Sequence, residues 1–292
     1  MANFKLLDID KIIGKEKSVI FKKYGTEAAI TDFAILLGGY VSNNEVVYNK
    51  KSRKLMSSPW WTDSKEPEDE KLYVTCKNYA IDHAPTQATQ IGIRPYIDYD
   101  EIVKDNIIDY SIKDVKATEE IKYGEYPQWI VDDEQSKKLE SLYNLRIIFK
   151  TGKKYNNYPE YNYNGTKYIR VVSKENSLKT LSNERKVKKD EIYWLRVSSI
   201  TWIVNKFENS MLSKYILVSG MNYNKIQNFL DNSFSKEIEA IKMITPSQEK
   251  QSYMEELIKV KQALLDIENI CNNENDDSIK ESVLKKIKQT IK

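Results

Sequence analysis

From Thr26 to Leu37 the run TEAAITDFAILL places Ala29, Ile30, Phe33, Ala34 and Leu37 on one face at helical spacing. Thr26 stands where an N-cap belongs and Gly38-Gly39 where a stop belongs, so the pattern predicts a buried helix. Strands follow. A short one is expected in YVSNNEVVYNKKSRK ahead of a polar loop, two more in PWWTDS and KLYVTCKNYAID around the charged turn KEPEDE, and a last one in QIGIRPYIDY, closed off by its proline. Strand alternation sends adjacent side chains to opposite faces, so one of Trp60 and Trp61 is expected in the core and the other at or near the surface.

The polar stretch 100–120 reads as a linker, after which IKYGEYPQWIVDD opens a new unit. Its strands are expected in PQWIV, TKYIRVVS, EIYWLRVSSITWIVN and SMLSKYILVSG, with Asn164-Gly165 as a tight hairpin turn between EYNY and TKYIRVV. Alternation in YWLRVSSITWIV suits a half-buried strand pair that directs Trp194, Val197, Ile200 and Trp202 to the core. A helix is predicted over YNKIQNFLDNSFSKEI, where Ile226, Phe229, Leu230 and Phe234 share a face. Past Thr245-Pro246, two amphipathic stripes flank CNNENDD, one through Met254, Leu257, Ile258, Leu264 and Leu265, the other through Ile279, Val283, Ile287 and Ile291. They predict a helical hairpin that either docks on its own domain or joins two subunits as a homo-oligomer through residues 246–292. The chain thus divides into 1–110, 111–244 and 245–292.

Composition narrows the choice of partner. The 292 residues, 40% hydrophobic, suffice for one large domain or two ordinary ones. With 46 basic and 43 acidic residues the net charge is only +3, which argues against a dedicated nucleic-acid binder. Cys76 and Cys271 lie far apart and give no disulfide framework or thiolate metal site. The start, MANFKLLDIDKIIGKEK, lacks the pattern of a secretion signal, and no run of about 18 apolar residues occurs. A soluble cytoplasmic protein without a membrane partner is expected. Twenty tyrosines against seven phenylalanines, with abundant Lys, Asn and Ile, is the usage of an AT-rich genome, although tyrosine also suits interfaces.

Chemistry is sparse. His83, the one histidine, reads as an exposed loop residue, and its neighbour Asp82 would face away from it in a strand. The acidic clusters 66–70, 132–134 and 273–277 lack the glycine of a calcium loop and read as solvated turns. Cys76 sits in a predicted strand as a buried structural thiol. The basic runs 183–191 and 50–54 are diluted by acidic neighbours and read as solvated loops. No phosphate loop, dinucleotide fingerprint or nucleophile elbow is present, so no catalytic constellation, cofactor or metal is expected.

Taken in order, TDFAILLGGYVS, PWWTDS with YVTCKNYAID, IGIRPYIDY, IKYGEYPQ, YNGTKYIRVV and YWLRVSSITWIVN…MLSKYILVSGMNYN carry a resemblance over about Tyr24 to Ile238. The chain resembles a bacterial family, often present as many paralogues, related to a domain of unknown function marked by FGxYPQ, WWLRSP and a closing GVRPAL. Gly92, Arg94 and Pro95 keep the last motif as GIRPYI, whereas Thr62-Asp63 replace the usual Leu-Arg after the tryptophans. The two halves come in the reverse of the commoner order, as a circular permutation or an exchange of halves would leave them. Those motifs are similar to C-type-lectin-like folds, including formylglycine-generating-enzyme-like domains and variable proteins diversified by retroelements. The resemblance implies an α+β protein, C-type-lectin-like with small antiparallel sheets, plus the C-terminal helical hairpin. It implies a loop-rich binding surface. A non-enzymatic ligand- or protein-binding protein is the resulting expectation, with Trp61, Tyr73, Tyr79 and Arg94 as contact residues. Another protein is the first expected partner, and a small ligand or glycan the next. The alternative is a phage or mobile-element inhibitor that binds a host defence nuclease.

Overall fold

The computed structural model describes residues 3–13, 18, 20–21, 25–42, 46–50, 53–64, 68–76, 80–98, 120–174, 179–205 and 207–238. The chain falls into two units, Met1–Met243 and Ile244–Lys292. The second unit, with the expected helical hairpin, lies outside the described residues, as do Tyr79 and residues 100–119 of the expected linker.

Helices and mostly antiparallel strands make the first unit α+β. The chain's first half contributes β1 (Phe4–Lys5), α1 (Asp10–Ile13), β2 (Ala29–Ile30), α2 (Asp32–Leu36), the hairpin β3 (Val46–Lys50) and β4 (Arg53–Met56), then β5 (Trp60–Trp61), β6 (Glu70–Val74), β7 (Ile81–Pro85) and β8 (Tyr96–Asp98). The second half contributes β9 (Glu120–Ile130), α3 (Asp133–Asn144), β10 (Phe149–Tyr155), β11 (Tyr158–Tyr163), β12 (Thr166–Val172), β13 (Ile192–Asn205), β14 (Ser210–Ser213) and β15 (Tyr215–Ile216). It closes on a helical run of α4 (Ile226–Phe229), a π turn Leu230–Phe234 and α5 (Ser235–Glu237). Ile226, Phe229, Leu230 and Phe234 are buried there, on the face their spacing predicts.

β13 organises the main sheet, whose strand order is β1-β8-β14-β13-β12-β11-β10, with β9 also paired to β13. The first residues of β13 pair with β12 and the last four with β14, while β9 runs along it from Leu195 to Ile203. The expected strand pair in YWLRVSSITWIV is therefore one continuous strand of 14 residues. Because β1 and β8 enter this sheet beside β14, the two halves of the chain interleave. Trp60 sits in a separate three-stranded sheet, β5-β6-β7, yet shares one hydrophobic core with Trp202.

Three local differences from the sequence reading have physical causes. The helix expected from Thr26 begins only at Asp32, because Ala29 and Ile30 pair in parallel with Tyr215 and Ile216. Thr31 is the N-cap, its Oγ1 accepting from Ala34 N at 3.3 Å, and Gly38 at φ 110° ends the helix. The strand in QIGIRPYIDY starts after Pro95 instead of ending there, since proline has no N–H for the ladder. Asp132 to Glu134, read as a solvated turn, start α3: the Asp132 carboxylate accepts from Gln135 N at 2.8 Å, and Asp133 and Glu134 fill the first turn, where negative charge is favoured. The Asn164-Gly165 turn has both residues at positive φ, 49° and 74°, as a two-residue hairpin requires.

Asp32 pins α2 to two distant segments. Its buried carboxylate accepts from Ile130 N at 2.9 Å, Ser182 N at 2.7 Å and Ser182 Oγ at 2.6 Å. No helix among the described residues is long and apolar enough to cross a membrane.

Candidate functional site

The tryptophan block is core on both faces. Trp60 and Trp61 are each 0% exposed, which corrects the expectation that one of them reaches the surface. Alternation does send the indoles to opposite sides, but both sides are covered. Trp60 stacks on Phe21 with ring centroids 6.4 Å apart and donates from Nε1 to Thr26 O at 3.1 Å. Trp61 meets Tyr73 at 6.0 Å and Tyr223 at 5.2 Å, both edge-to-face. The Gly92 backbone locks the pair in place: Gly92 N donates to Pro59 O and Trp61 N donates to Gly92 O, each at 2.9 Å. A Cβ at Gly92 would meet Ile216 Cγ2 at 2.2 Å, so this close approach needs glycine.

Arg94 is 1% exposed, with its guanidinium carbon 5.0 Å from the Trp60 ring and its Nε donating to Ser213 O at 2.7 Å. Burial alone lowers its pKa to about 9. Tyr73 is half-buried on β6, and burial, then Asp82 and Cys76, raise its hydroxyl pKa. Of the four expected contact residues, the structure thus brings Trp61 and Tyr73 into contact, holds Arg94 against Trp60, and leaves Tyr79 outside the described residues. Trp61 and Arg94 are too deeply buried to touch a ligand at the surface. His83 is exposed but lies in strand β7, not a loop, and Cys76 is half-buried at the bend after β6. Arg185 of the basic run 183–191 is engaged by Asp133 at 2.6 Å and by Glu191.

A second, smaller core lies where α3 packs against the far end of the sheet, around Leu139, Ile148, Tyr161, Tyr168 and Trp194. Arg170 grips Glu140 with Nε and Nη2, both at 3.0 Å, and Trp194 Nε1 donates to the same carboxylate at 2.9 Å. The Arg170 contact chiefly lowers the Glu140 pKa. Behind β10 and β11, Glu160 accepts from Thr151 Oγ1 at 2.7 Å and from Tyr155 OH at 3.0 Å. Glu237 of α5 accepts from Asn156 N at 2.9 Å, and Tyr126 OH faces it without a well-aligned hydrogen bond. Burial raises the pKa of both Glu237 and Tyr126. These contacts brace the β10–β11 hairpin from its inner side.

The outer side of that hairpin is different. α3 ends through Arg146 at φ 57°, whose N–H donates to Tyr143 O, while Ile147 N–H donates to Leu142 O. The reversal aims Ile148 into the smaller core and leaves Leu145 66%, Ile147 49% and Phe149 72% exposed within five residues. β10 ends the strand path, so its outer edge has no strand partner among the described residues. Arg146, Lys150 and Lys154 are exposed around it, and no acidic residue occurs from 144 to 154. The sequence reading missed this surface. Its signal was LRIIF, apolar at four of five positions with neither helical nor strand alternation, which a single buried element does not need.

Among the described residues no group of three or more His, Cys, Asp or Glu could hold a metal ion. No family model matches the chain, and no curated protein or solved structure is significantly similar to it.

Proposed function

We propose that the chain is a non-enzymatic protein-binding protein on a C-type-lectin-like scaffold, and that its contact surface is the basic, apolar edge formed by the α3–β10 turn and β10. The occupant is an extended segment of a partner protein, acidic with alternating apolar side chains, that adds as a strand beside β10. The observation that carries this reading is the exposure of Leu145 and Ile147 in the α3–β10 turn and of Phe149 at the start of the edge strand, where exposed apolar surface is a liability unless something covers it. Charge gives the partner its sign, since Arg146, Lys150 and Lys154 repel a second copy of the same edge and attract carboxylates. Gly152 at φ 90° and the register shift between Lys150 and Lys154 break up the second half of the edge, confining pairing to the stretch around Phe149. The buried contacts of Glu160 and Glu237 support a preformed platform, which lowers the entropy cost of docking. The mostly antiparallel sheets and the main core that joins both halves support the scaffold assignment, although the largest sheet, with eight strands, is not the small one expected.

Selection of displayed random peptides on the full chain tests the reading. Enriched peptides should be acidic and alternate with apolar residues, and Phe149→Asp should cut their capture at least about tenfold, whereas Val172→Asp, at an exposed position on β12, should not. Enrichment without acidic bias, or capture indifferent to Phe149→Asp, would overturn it.

A further inference from the structure

The outer edge of β10 calls for an acidic, alternating segment, and the chain itself holds one. Residues 105–112, in the stretch between β8 and β9 that lies outside the described residues, read DNIIDYSI. Ile108, Tyr110 and Ile112 recur at every second position with Asp109 and Ser111 between them, and no lysine or arginine falls in 105–112. As a strand, this sequence sends the three apolar side chains to one face and Asp109 to the other. The edge matches it. Phe149 and Lys150 are consecutive on β10 and both exposed, so one face of the edge is apolar and the other basic.

Register places the edge within the segment's reach. Phe149 pairs with Asn162 and Asn162 with Lys167, which sets Phe149 level with Val197 of β13. Glu120, just past the stretch, pairs with Ile203, and Asp98, just before it, is level with Asn205 through Ser210. The offsets along the strands are therefore about 20 and 26 Å. The flanks from Ile112 to Glu120 and from Asp98 to Ile108 extend to about 26 and 33 Å. Across the strands the sheet curls, bringing the Tyr126 ring of β9 within 5.4 Å of the Tyr155 ring of β10.

We infer that residues 105–112 lie along the outer edge of β10 of their own chain as a built-in competitor, which the partner segment displaces. The inference rests on the reading of that edge as the contact surface, and it adds the regulation of that surface. Lys150 and Lys154 attract Asp105 and Asp109, and tethering keeps the competitor at an effective concentration on the order of millimolar. A free segment of the same chemistry therefore meets a reduced apparent affinity.

A fluorescent peptide of sequence DNIIDYSI, titrated against the full chain, tests it. The peptide should bind Tyr110→Lys at least about tenfold more tightly than wild type, because only the variant has its edge vacated, and adding Phe149→Asp should abolish that binding. If Tyr110→Lys does not fold, cross-linking decides the matter: in a chain carrying Cys76→Ser and Cys271→Ser, Phe149→Cys should form a disulfide within one chain with Tyr110→Cys but not with Asp109→Cys. Equal affinity for wild type and Tyr110→Lys, no binding to either, or disulfides only between chains would overturn the inference while leaving the β10 surface standing. Selected peptides whose capture ignores Phe149→Asp would instead remove the reading beneath it.

Discussion

Arg170 lies 4.7 Å from the Tyr143 ring and gives two hydrogen bonds to Glu140, which also accepts from Trp194; Arg94 lies 5.0 Å from the Trp60 ring and gives one to a backbone carbonyl. The hydrogen bonds Arg170 donates to Glu140 raise its pKa, whereas desolvation lowers that of Arg94 to about 9. Both regions join an arginine, a tryptophan and a second element of the fold. At the sheet's far end the charge is cancelled within the chain and partly open to water, so the joint resists change modestly. In the main core the cation is sealed in, and its stem, stacking and donor all count.

The largest effect is expected from Arg94→Ala, which removes the stem packed on Trp60 and leaves both a cavity and the Ser213 carbonyl without its donor. Urea unfolding should show a loss of about 3–5 kcal/mol. Arg94→Met keeps most of the stem without the charge and should cost less than half as much, because replacing a buried charge by an apolar side chain of similar length relieves desolvation. Equal losses in the two variants would mean that charge, not packing, holds this region, and the contrast with Arg170 would collapse.

Glu140→Ala comes next. It strands the Arg170 guanidinium and the Trp194 Nε1–H, for a loss of about 2 kcal/mol by urea unfolding, moderated by solvent screening of the ion pair. Glu140→Gln, which keeps an acceptor, should lose roughly half of that.

Much of the fold was legible where local chemistry leaves few options. Asn164-Gly165 demanded two residues at positive φ, and Ile226, Phe229, Leu230 and Phe234 needed a common cover. α3 was hidden because it is largely polar, with Leu139 its one buried residue, and because its acidic N-terminus looks like a solvated turn. The site was less legible still. Strand alternation told that Trp60 and Trp61 face apart, but whether the second face is open depends on Tyr223, more than 150 residues away in the chain. Thr26 was read as a helix cap because its role beside Trp60 is set by tertiary contacts alone. Arg94 was expected as a contact residue, and its burial could not be inferred from GIRPYI.

The two tryptophans of the block offer a finer contrast. Trp60 Nε1 has Thr26 O as acceptor, whereas Trp61 Nε1 is buried with none. Trp60→Phe should therefore cost about 1 kcal/mol more than Trp61→Phe, since only the first loses a hydrogen bond and leaves a buried carbonyl unpaired. Chemical unfolding of both single variants measures the difference, and equal costs would show that ring volume alone matters at both positions.

The smallest effects concern acid. Glu140 has its pKa lowered by Arg170, so its contribution to stability is complete above the ordinary value of 4.5 and fades as pH falls through the lower folded-state value. Glu237 has its pKa raised by burial, so between 4.5 and that raised value the folded state holds more protons than the unfolded one, and stability falls as pH rises through this window. The deficit of Glu140→Gln should thus shrink on acidification from pH 6 to pH 3.5, while any advantage of Glu237→Gln at pH 6 should disappear over the same range. Both changes should be smaller than the neutral-pH loss in Glu140→Ala, and parallel curves for the two variants would remove the distinction between a carboxylate held by a cation and one held by burial.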